Sequence, residues 1–372
     1  MVPQFPLAAA LSHSREQLEV TLRGWLEAGR FVAGQQLPTP REIARLVGGA
    51  NEQTVRRALK RLIDEGLLRG AQGKGVFVVP TSAKHGRVAL VLPNLEDETT
   101  RLIAAGVQSV FDAQGVQTLI LDARRDCEQE RDHLAALSDL PVDGAIIFPV
   151  AYGDISERIL RLKVAEFPLV LVDKYCPGIE VDCVLADDFQ GAYDLTTALV
   201  NRGYRRIAWL GGEEGSTTVE NRLDGYRWAL GDCGLPVERA LVRRLKLATP
   251  MSAYRQALVG EVDALLAMEN RPDALVCAND LLAVEALEYV QDRGLRVPDD
   301  LAVTGFDDLK AAEQATPSLT SVRKPIGEMG VKAAEILLRR ITQKHAPASR
   351  AVLKTTVIAR ASTRQHAPAT NA

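Results

Sequence analysis

The chain has little with which to staple itself or to catalyse. Its five cysteines (Cys127, Cys176, Cys183, Cys233 and Cys277) are scattered, include no Cys-x-x-Cys pair and are odd in number. That excludes a disulfide framework and a thiolate zinc site, and it suits a reducing compartment. There are only five histidines among 372 residues, and no His-Glu-x-x-His, Gly-x-Ser-x-Gly or Walker loop, so the common hydrolase and nucleotide-binding sites lack their residues. The acidic Gly211-Gly212-Glu213-Glu214-Gly215 would repel a phosphate rather than cradle it. No metal, cofactor or catalytic residue is expected. Long apolar runs are missing too, which excludes a membrane span. Phe5–Leu11 is apolar, but no basic stretch precedes it and no cleavage pattern follows, so the protein is expected to be cytoplasmic.

What is present is a globular composition, 47% hydrophobic and 25% charged, over a length that calls for two or three folding units. The net charge of -3 hides an asymmetry: residues 1–80 hold 11 Lys and Arg against 7 Asp and Glu, and the rest holds 34 against 41. A basic head on an acidic body fits a phosphate-binding module joined to a unit with another task.

Within the head, Leu18, Leu22, Trp25 and Leu26 give a first amphipathic helix over Ser14–Ala28. Thr39-Pro40-Arg41-Glu42 is a helix-start signal: Thr39 caps, Pro40 suits the first turn, and Glu42 completes a capping box. Ile43, Ala44 and Leu46 are expected to face inward before the turn at Gly48-Gly49. A third helix over Asn51–Glu65 buries Val55, Ala58, Leu59, Leu62 and Ile63 and presents Gln53, Arg56, Arg57, Lys60 and Arg61 on its other side. Leu67–Pro80 reads as a hairpin around Gln72-Gly73-Lys74-Gly75. This order makes a winged helix-turn-helix. A basic helix of this kind fits the major groove, and the hairpin can lay Lys74 on phosphate or in the minor groove. The bland alternative is a merely solvated basic face; the capped helix and the wing at matching spacing weigh against it. Glu52 would face phosphates unless it accepts from a cytosine.

Leu37–Ala44, Thr54–Leu59, Glu65–Leu68 and Gly73–Val78 together resemble the GntR-type DNA-binding domain. The resemblance implies DNA contacts from Arg41, from the helix residues Gln53, Thr54, Arg56, Arg57 and Lys60, and from the wing residues Gly73, Lys74 and Gly75.

From Arg87 onward, apolar strands alternate with amphipathic helices. Val88–Leu92, Thr118–Leu121, Ala145–Phe148 and Leu169–Val172 form one set; Ile207–Leu210, Leu241–Leu247, Ala274–Cys277 and Leu301–Val303 form a second. The alternation implies two parallel sheets, each covered on both faces. Ligands of such sheets sit beyond the carboxyl ends of the strands, where Asn94, Asp173, Asn279, Asp280 and Asp307 fall, with Arg222 near a helix start. Carboxylates and amides with one arginine suit a polyhydroxyl ligand. Each acid could instead cap the next helix, Asp280 above all, and Arg222 could be a surface ion pair.

Asn221–Tyr226, Ala278–Ala283, Gly294–Asp300, Val303–Asp308 and Pro317–Pro325 resemble the LacI/GalR sensor domain over about residues 86–362. The resemblance implies a two-lobed α/β type I periplasmic-binding-protein-like domain behind the small N-terminal winged helix-turn-helix domain. It also implies an effector held by Asn94, Asp173, Arg222, Asn279 and Asp307, and a GntR-like head on such a body resembles the arabinose-repressor type. The expected organisation is a head over residues 1–80, a linker over 81–86, a sensor over 87–362 and a disordered tail over 363–372. The partners expected are double-stranded operator DNA, a neutral sugar and a second copy of the chain, with no membrane. Two rivals are a sugar-binding protein without DNA regulation and an α/β enzyme acting on a sugar; the first lacks an export signal and has a basic head to explain, the second lacks catalytic motifs.

Overall fold

A computed structural model describes residues 15–27, 30–31, 35–64, 67–71, 75–78, 86–150, 154–212, 215–245, 251–343 and 345–364. The chain divides into two compact units, Met1–Gly86 and Arg87–Ala372.

In the first unit, helices Arg15–Glu27, Pro40–Leu46 and Glu52–Asp64 precede the antiparallel strands Leu68–Ala71 and Gly75–Val78. The middle helix starts as its sequence demands. The Thr39 backbone N–H donates to Glu42 Oε2 at 2.7 Å, and the Glu42 N–H donates to Thr39 Oγ1 at 3.3 Å. Both reciprocal bonds of a capping box are therefore made. Ile43 and Ala44 are buried as expected, but Leu46 is 47% exposed. The helix ends at Leu46, and the chain turns away through Gly48 and Gly49 at φ +91° and +93° before the stripe can complete another turn. Leu18, Leu22, Ile43, Val55, Leu59, Leu62, Leu68 and Val78 close one small core. Residues 35–37 add a third partner to the hairpin, with Leu37 N–H donating to the Val76 carbonyl and Val78 N–H to that of Gln35, each at 2.8 Å.

The second unit has two six-stranded sheets. One runs, in spatial order, Arg350–Leu353, Asp182–Ala186, Leu169–Val172, Gly144–Ile147, Arg87–Leu92 and Gln117–Asp122, all parallel. The other runs Thr356–Ile358, Thr320–Arg323, Ala302–Asp307, Ala274–Cys277, Ile207–Gly211 and Val242–Arg244, parallel except for its first strand. Each sheet has a hydrophobic core on both faces, which is why the central strands read as unbroken apolar runs.

The two lobes are not consecutive pieces of chain. The chain crosses between Ala186 and Asp188, returns between Arg323 and Ile326 to lay helix Ile326–Thr342 and strand Arg350–Leu353 on the first lobe, and crosses again between Leu353 and Thr356. The strands Asp182–Ala186, Thr320–Arg323, Arg350–Leu353 and Thr356–Ile358 add to the two expected sets. They are three to five residues long and each opens on a polar residue, so no long hydrophobic run announces them. Strand Val242–Arg244 is shorter than the expected Leu241–Leu247, of which residues 246–247 lie outside the described residues.

The chain end also differs from expectation. Ser362 and Thr363 are buried rather than part of a loose tail. Ser362 Oγ donates to the Val303 carbonyl at 2.6 Å and accepts from Thr320 N–H at 2.8 Å, and Arg364 N–H donates to Tyr204 Oη at 3.0 Å. These bonds complete backbone groups at a sheet end that would otherwise be buried unpaired. Residues 365–372, and the linker residues 81–85, lie outside the described residues.

Candidate functional site

The carboxyl ends of the two sheets bring charged side chains from both lobes together. Asp173 follows strand Leu169–Val172 of the first lobe, and Asp307 ends strand Ala302–Asp307 of the second. Both have left-handed backbones, at φ +71° and +108°. Such conformations cost an L residue of order 1–3 kcal/mol and persist where surrounding structure holds them. Lys324, on the crossover that follows Thr320–Arg323, joins the two acids: its Nζ pairs with Asp173 Oδ1 and lies 3.5 Å from Asp307 Oδ1.

Arg222 meets Asp307 at the same carboxylate oxygen. It is not a surface ion pair, because its side chain is 5% exposed and every direction is used. Nε donates to Asp188 Oδ1 at 2.7 Å, Nη1 to the Ala278 carbonyl at 2.5 Å and Nη2 to Asp307 Oδ1 at 3.1 Å. Its guanidinium stacks 3.8 Å from the ring centroid of Phe306. Lys174 is nearby, with Nζ 3.9 Å from Asp173 Oδ2 and donating to the Pro149 carbonyl at 2.8 Å. Burial by itself would raise the Asp173 pKa, but Lys324, Lys174 and Arg222 outweigh it and hold the carboxyl at about 2. The site therefore offers ionised acceptors and buried donors close together, with opposite charges nearly balanced. That arrangement serves hydroxyl groups, which both donate and accept.

The remaining expected residues are placed differently. Asn279 caps helix Asp280–Asp292, its Oδ1 accepting from Leu282 N–H at 2.9 Å. It is adjacent to Ala278, whose carbonyl holds Arg222. Asp280 is not a cap: its buried carboxylate accepts from Ser321 Oγ at 2.6 Å and Leu309 N–H at 2.7 Å, tying down the loop that carries Asp307. Asn94 spends its polar atoms on its own turn, accepting from the N–H groups of Glu96 and Asp97 and donating to Asp97 Oδ2. The structure does not join it to the charged cluster. Sequence reasoning missed Lys324, Asp188 and Lys174. Lys324 lies inside the Pro317–Pro325 motif, but its partner Asp173 is 151 positions away, and spacing carries no signal over such a distance. The lobes also meet at two edges, where Tyr175 N–H donates to Thr217 Oγ1 at 3.4 Å and Lys310 N–H to Glu98 Oε2 at 3.2 Å.

Two buried acids near this site titrate in an unusual range. Burial pushes Asp280 and Glu130 up to about 7; Glu130 Oε1 accepts from Val150 N–H at 2.8 Å, at the end of the first-lobe sheet. A carboxyl with a folded pKa near 7 and an unfolded pKa near 4 holds more protons when folded, so stability falls as pH rises through that window. The urea midpoint is accordingly expected to be higher at pH 5.5 than at pH 7.5. The pair Glu130→Gln and Asp280→Asn should flatten that slope; a slope unchanged by both substitutions would locate its cause elsewhere.

The first unit offers a different surface. Arg41, Gln53, Arg56, Arg57 and Lys60 are exposed and Thr54 is half-buried, while the opposite stripe of helix Glu52–Asp64 (Val55, Ala58, Leu59 and Leu62) is buried. Asn51 Oδ1 accepts from Gln53 N–H at 2.8 Å and caps the helix start. Gly75 begins the second wing strand at φ +102°, and a side chain there would also meet Gln36. Gly73 and Lys74 lie outside the described residues. Among the described residues, no helix is long and apolar enough to cross a membrane and no His, Cys, Asp and Glu group could hold a metal ion.

Comparison with known proteins matches each unit separately. Residues 14–78 match the bacterial regulatory proteins of the gntR family, and residues 196–363 match the periplasmic binding protein-like domain. The arabinose metabolism transcriptional repressor of Geobacillus stearothermophilus is 31% identical over 335 residues, 88% of this chain and 91% of that protein. The transcriptional regulator DegA of Bacillus subtilis is 28% identical over 76% of this chain and 82% of its own. Among solved structures, the transcriptional regulator CelR–cellobiose complex is 28% identical, covers 86% of this chain and 94% of that one, and superposes with a TM-score of 0.65. These relatives are regulators of transcription, not enzymes. The chain belongs to the gntR family of bacterial regulatory proteins, among those whose winged helix-turn-helix is joined to a two-lobed periplasmic binding protein-like sensor.

Proposed function

We propose that this regulator is a cytoplasmic, dimeric repressor whose operator affinity is set by a neutral sugar bound between the sensor lobes. The observation that carries the reading is the pairing of Asp173 from one lobe with Asp307 from the other around Lys324 and Arg222. A ligand whose hydroxyls engage both acids touches both lobes at once, so its binding free energy depends on their relative rotation. Only such a difference in affinity can shift a conformational equilibrium. Asn279, after the strand beside that of Asp307, and Asn94, after strand Arg87–Leu92 of the first lobe, complete the proposed effector set with Asp173, Arg222 and Asp307. An arabinose repressor and a cellobiose complex among the relatives support a sugar over other small polar ligands.

In the head, Gln53, Thr54, Arg56, Arg57 and Lys60 read the major groove, Arg41 holds phosphate from the preceding helix, and Gly73, Lys74 and Gly75 contact phosphate or the minor groove. Residues 81–86 link the units, and a two-fold pair of sensors sets the spacing of two heads. Sugar binding changes that spacing and releases DNA.

The test is binding to a fluorescent duplex taken from upstream of the gene, titrated with a panel of neutral and phosphorylated sugars at fixed salt. Tight, sequence-selective binding relieved by one neutral sugar is the expected result. Selective binding that no sugar alters would remove the effector assignment and keep the operator; turnover of a sugar by the purified protein would revive the enzyme.

A further inference from the structure

The basic face of helix Glu52–Asp64 contains one anomaly. Between Asn51 and Ile63 there is a single carboxylate, Glu52, at the end expected to enter the groove, among Gln53, Thr54, Arg56, Arg57, Lys60 and Arg61. A negative charge there opposes binding to a polyanion. Two structural reasons for keeping it are weak. The helix start is already capped by Asn51, leaving the carboxylate only a small dipole contribution. It also pairs with Arg56, Oε1 lying 2.6 Å from Nη2, but the two side chains are 43% and 62% exposed, and such an exposed i, i+4 pair contributes little. Their placement is more informative than their energy. The pair is held one turn apart along the flank of the helix, beside the buried Val55 and Leu59, with one carboxylate oxygen and most of the guanidinium N–H groups left over.

We propose that Glu52 and Arg56 read DNA as one unit: Arg56 donates to O6 and N7 of a guanine, and the free Glu52 oxygen accepts from the N4 amino group of a cytosine on the adjacent base pair. The inference rests on the assignment of this helix to the major groove. Glu52 limits the torsions of Arg56, so the guanidinium arrives oriented and less side-chain entropy is lost on binding. At guanine or thymine the carboxylate meets a carbonyl, a ring nitrogen or a methyl group and remains desolvated without a donor; adenine offers its N6 amino group but sets the N7 acceptor beside it. Glu52 thus acts mainly by rejecting wrong sequences, and it weakens non-specific binding by cancelling one positive charge near the phosphates.

Selection of bound duplexes from a pool with a randomised 20-base-pair core tests this, with the full chain and its Glu52→Gln and Arg56→Lys variants at one salt concentration. The wild-type protein should enrich a cytosine next to a guanine. Glu52→Gln should keep the guanine, lose about tenfold or more of the cytosine preference, and bind unrelated DNA more tightly with a steeper salt dependence. Arg56→Lys should weaken the guanine preference, since an ammonium still donates to O6 or N7 but without the paired fork. An unchanged consensus for Glu52→Gln overturns the proposal while leaving the operator-binding reading intact, and no enrichment by the wild-type chain overturns both. Circular dichroism melting of the variants separates lost reading from lost folding.

Discussion

Replacing Arg222 by leucine is expected to lower the stability of the sensor by about 3–5 kcal/mol, the range for breaking a buried charge pair from one side. Three acceptors lose their donor together: Asp188, Asp307 and the Ala278 carbonyl. Asp188 is 2% exposed, and the crossover from the first lobe runs directly into its helix, so water cannot substitute without opening that junction. Leucine fills part of the volume over Phe306 but satisfies none of the polar atoms. Arg222→Lys should recover part of the loss, since one ammonium cannot reach three acceptors in different directions. Urea unfolding with a sensor-domain probe measures the effect. A midpoint near that of the wild type would mean that the cluster is open to solvent screening. Any folded Arg222 variant should also respond poorly to effector, because Asp307 would no longer be held at its strained backbone angle.

Gly106→Ala should be nearly as damaging for a purely steric reason. Helices Glu98–Ala113 and Ile326–Thr342 cross with glycines at the contact: a Cβ on Gly106 would stand 2.2 Å from the Gly327 carbonyl oxygen, and one on Gly330 would stand 2.2 Å from that of Ile103. Both obstacles are backbone, so no rotamer change relieves them and the helices must separate. Overpacking of this kind costs about 1–3 kcal/mol, more where the backbone cannot shift. The functional consequence follows from position. Helix Ile326–Thr342 begins two residues after Lys324, so a displaced first turn pulls Lys324 from Asp173 and Asp307. Reduced stability and a weakened effector response should therefore appear together. Gly260→Ala is the control: it lies in helix Met251–Leu266, its added Cβ meets nothing within 4 Å, and it should be neutral or stabilising by up to about 1 kcal/mol. Equal losses at both glycines would refute the steric account.

The contrast between these two sites mirrors the division between local and long-range information. The capping box at Thr39 and Glu42, the buried stripe of Val55, Ala58, Leu59 and Leu62, and the apolar strands Val88–Leu92 and Leu169–Val172 could all be read directly, because each depends on residues within a few positions of one another. Leu46 shows the limit of that reading: periodicity extended the buried face by a residue that the turn at Gly48 and Gly49 carries outward. The strand-end rule brought Asp173 and Asp307 into view with Arg222 beside them, and family motifs added weight to Arg222 and Asp307, while a local capping preference misassigned Asp280.

Local sequence thus determined a basic winged head, a doubly covered α/β body and the strand ends on which a ligand could rest. Tertiary structure alone decided that the chain returns to the first lobe after Arg323, placing Lys324 between Asp173 and Asp307, and that Asp188 and the Ala278 carbonyl seat Arg222. The physical reason is that periodicity records which face of an element avoids water. It does not record which distant charges meet when three crossovers bring the ends of two sheets together; that is settled by topology, packing and the need to pair every buried charge.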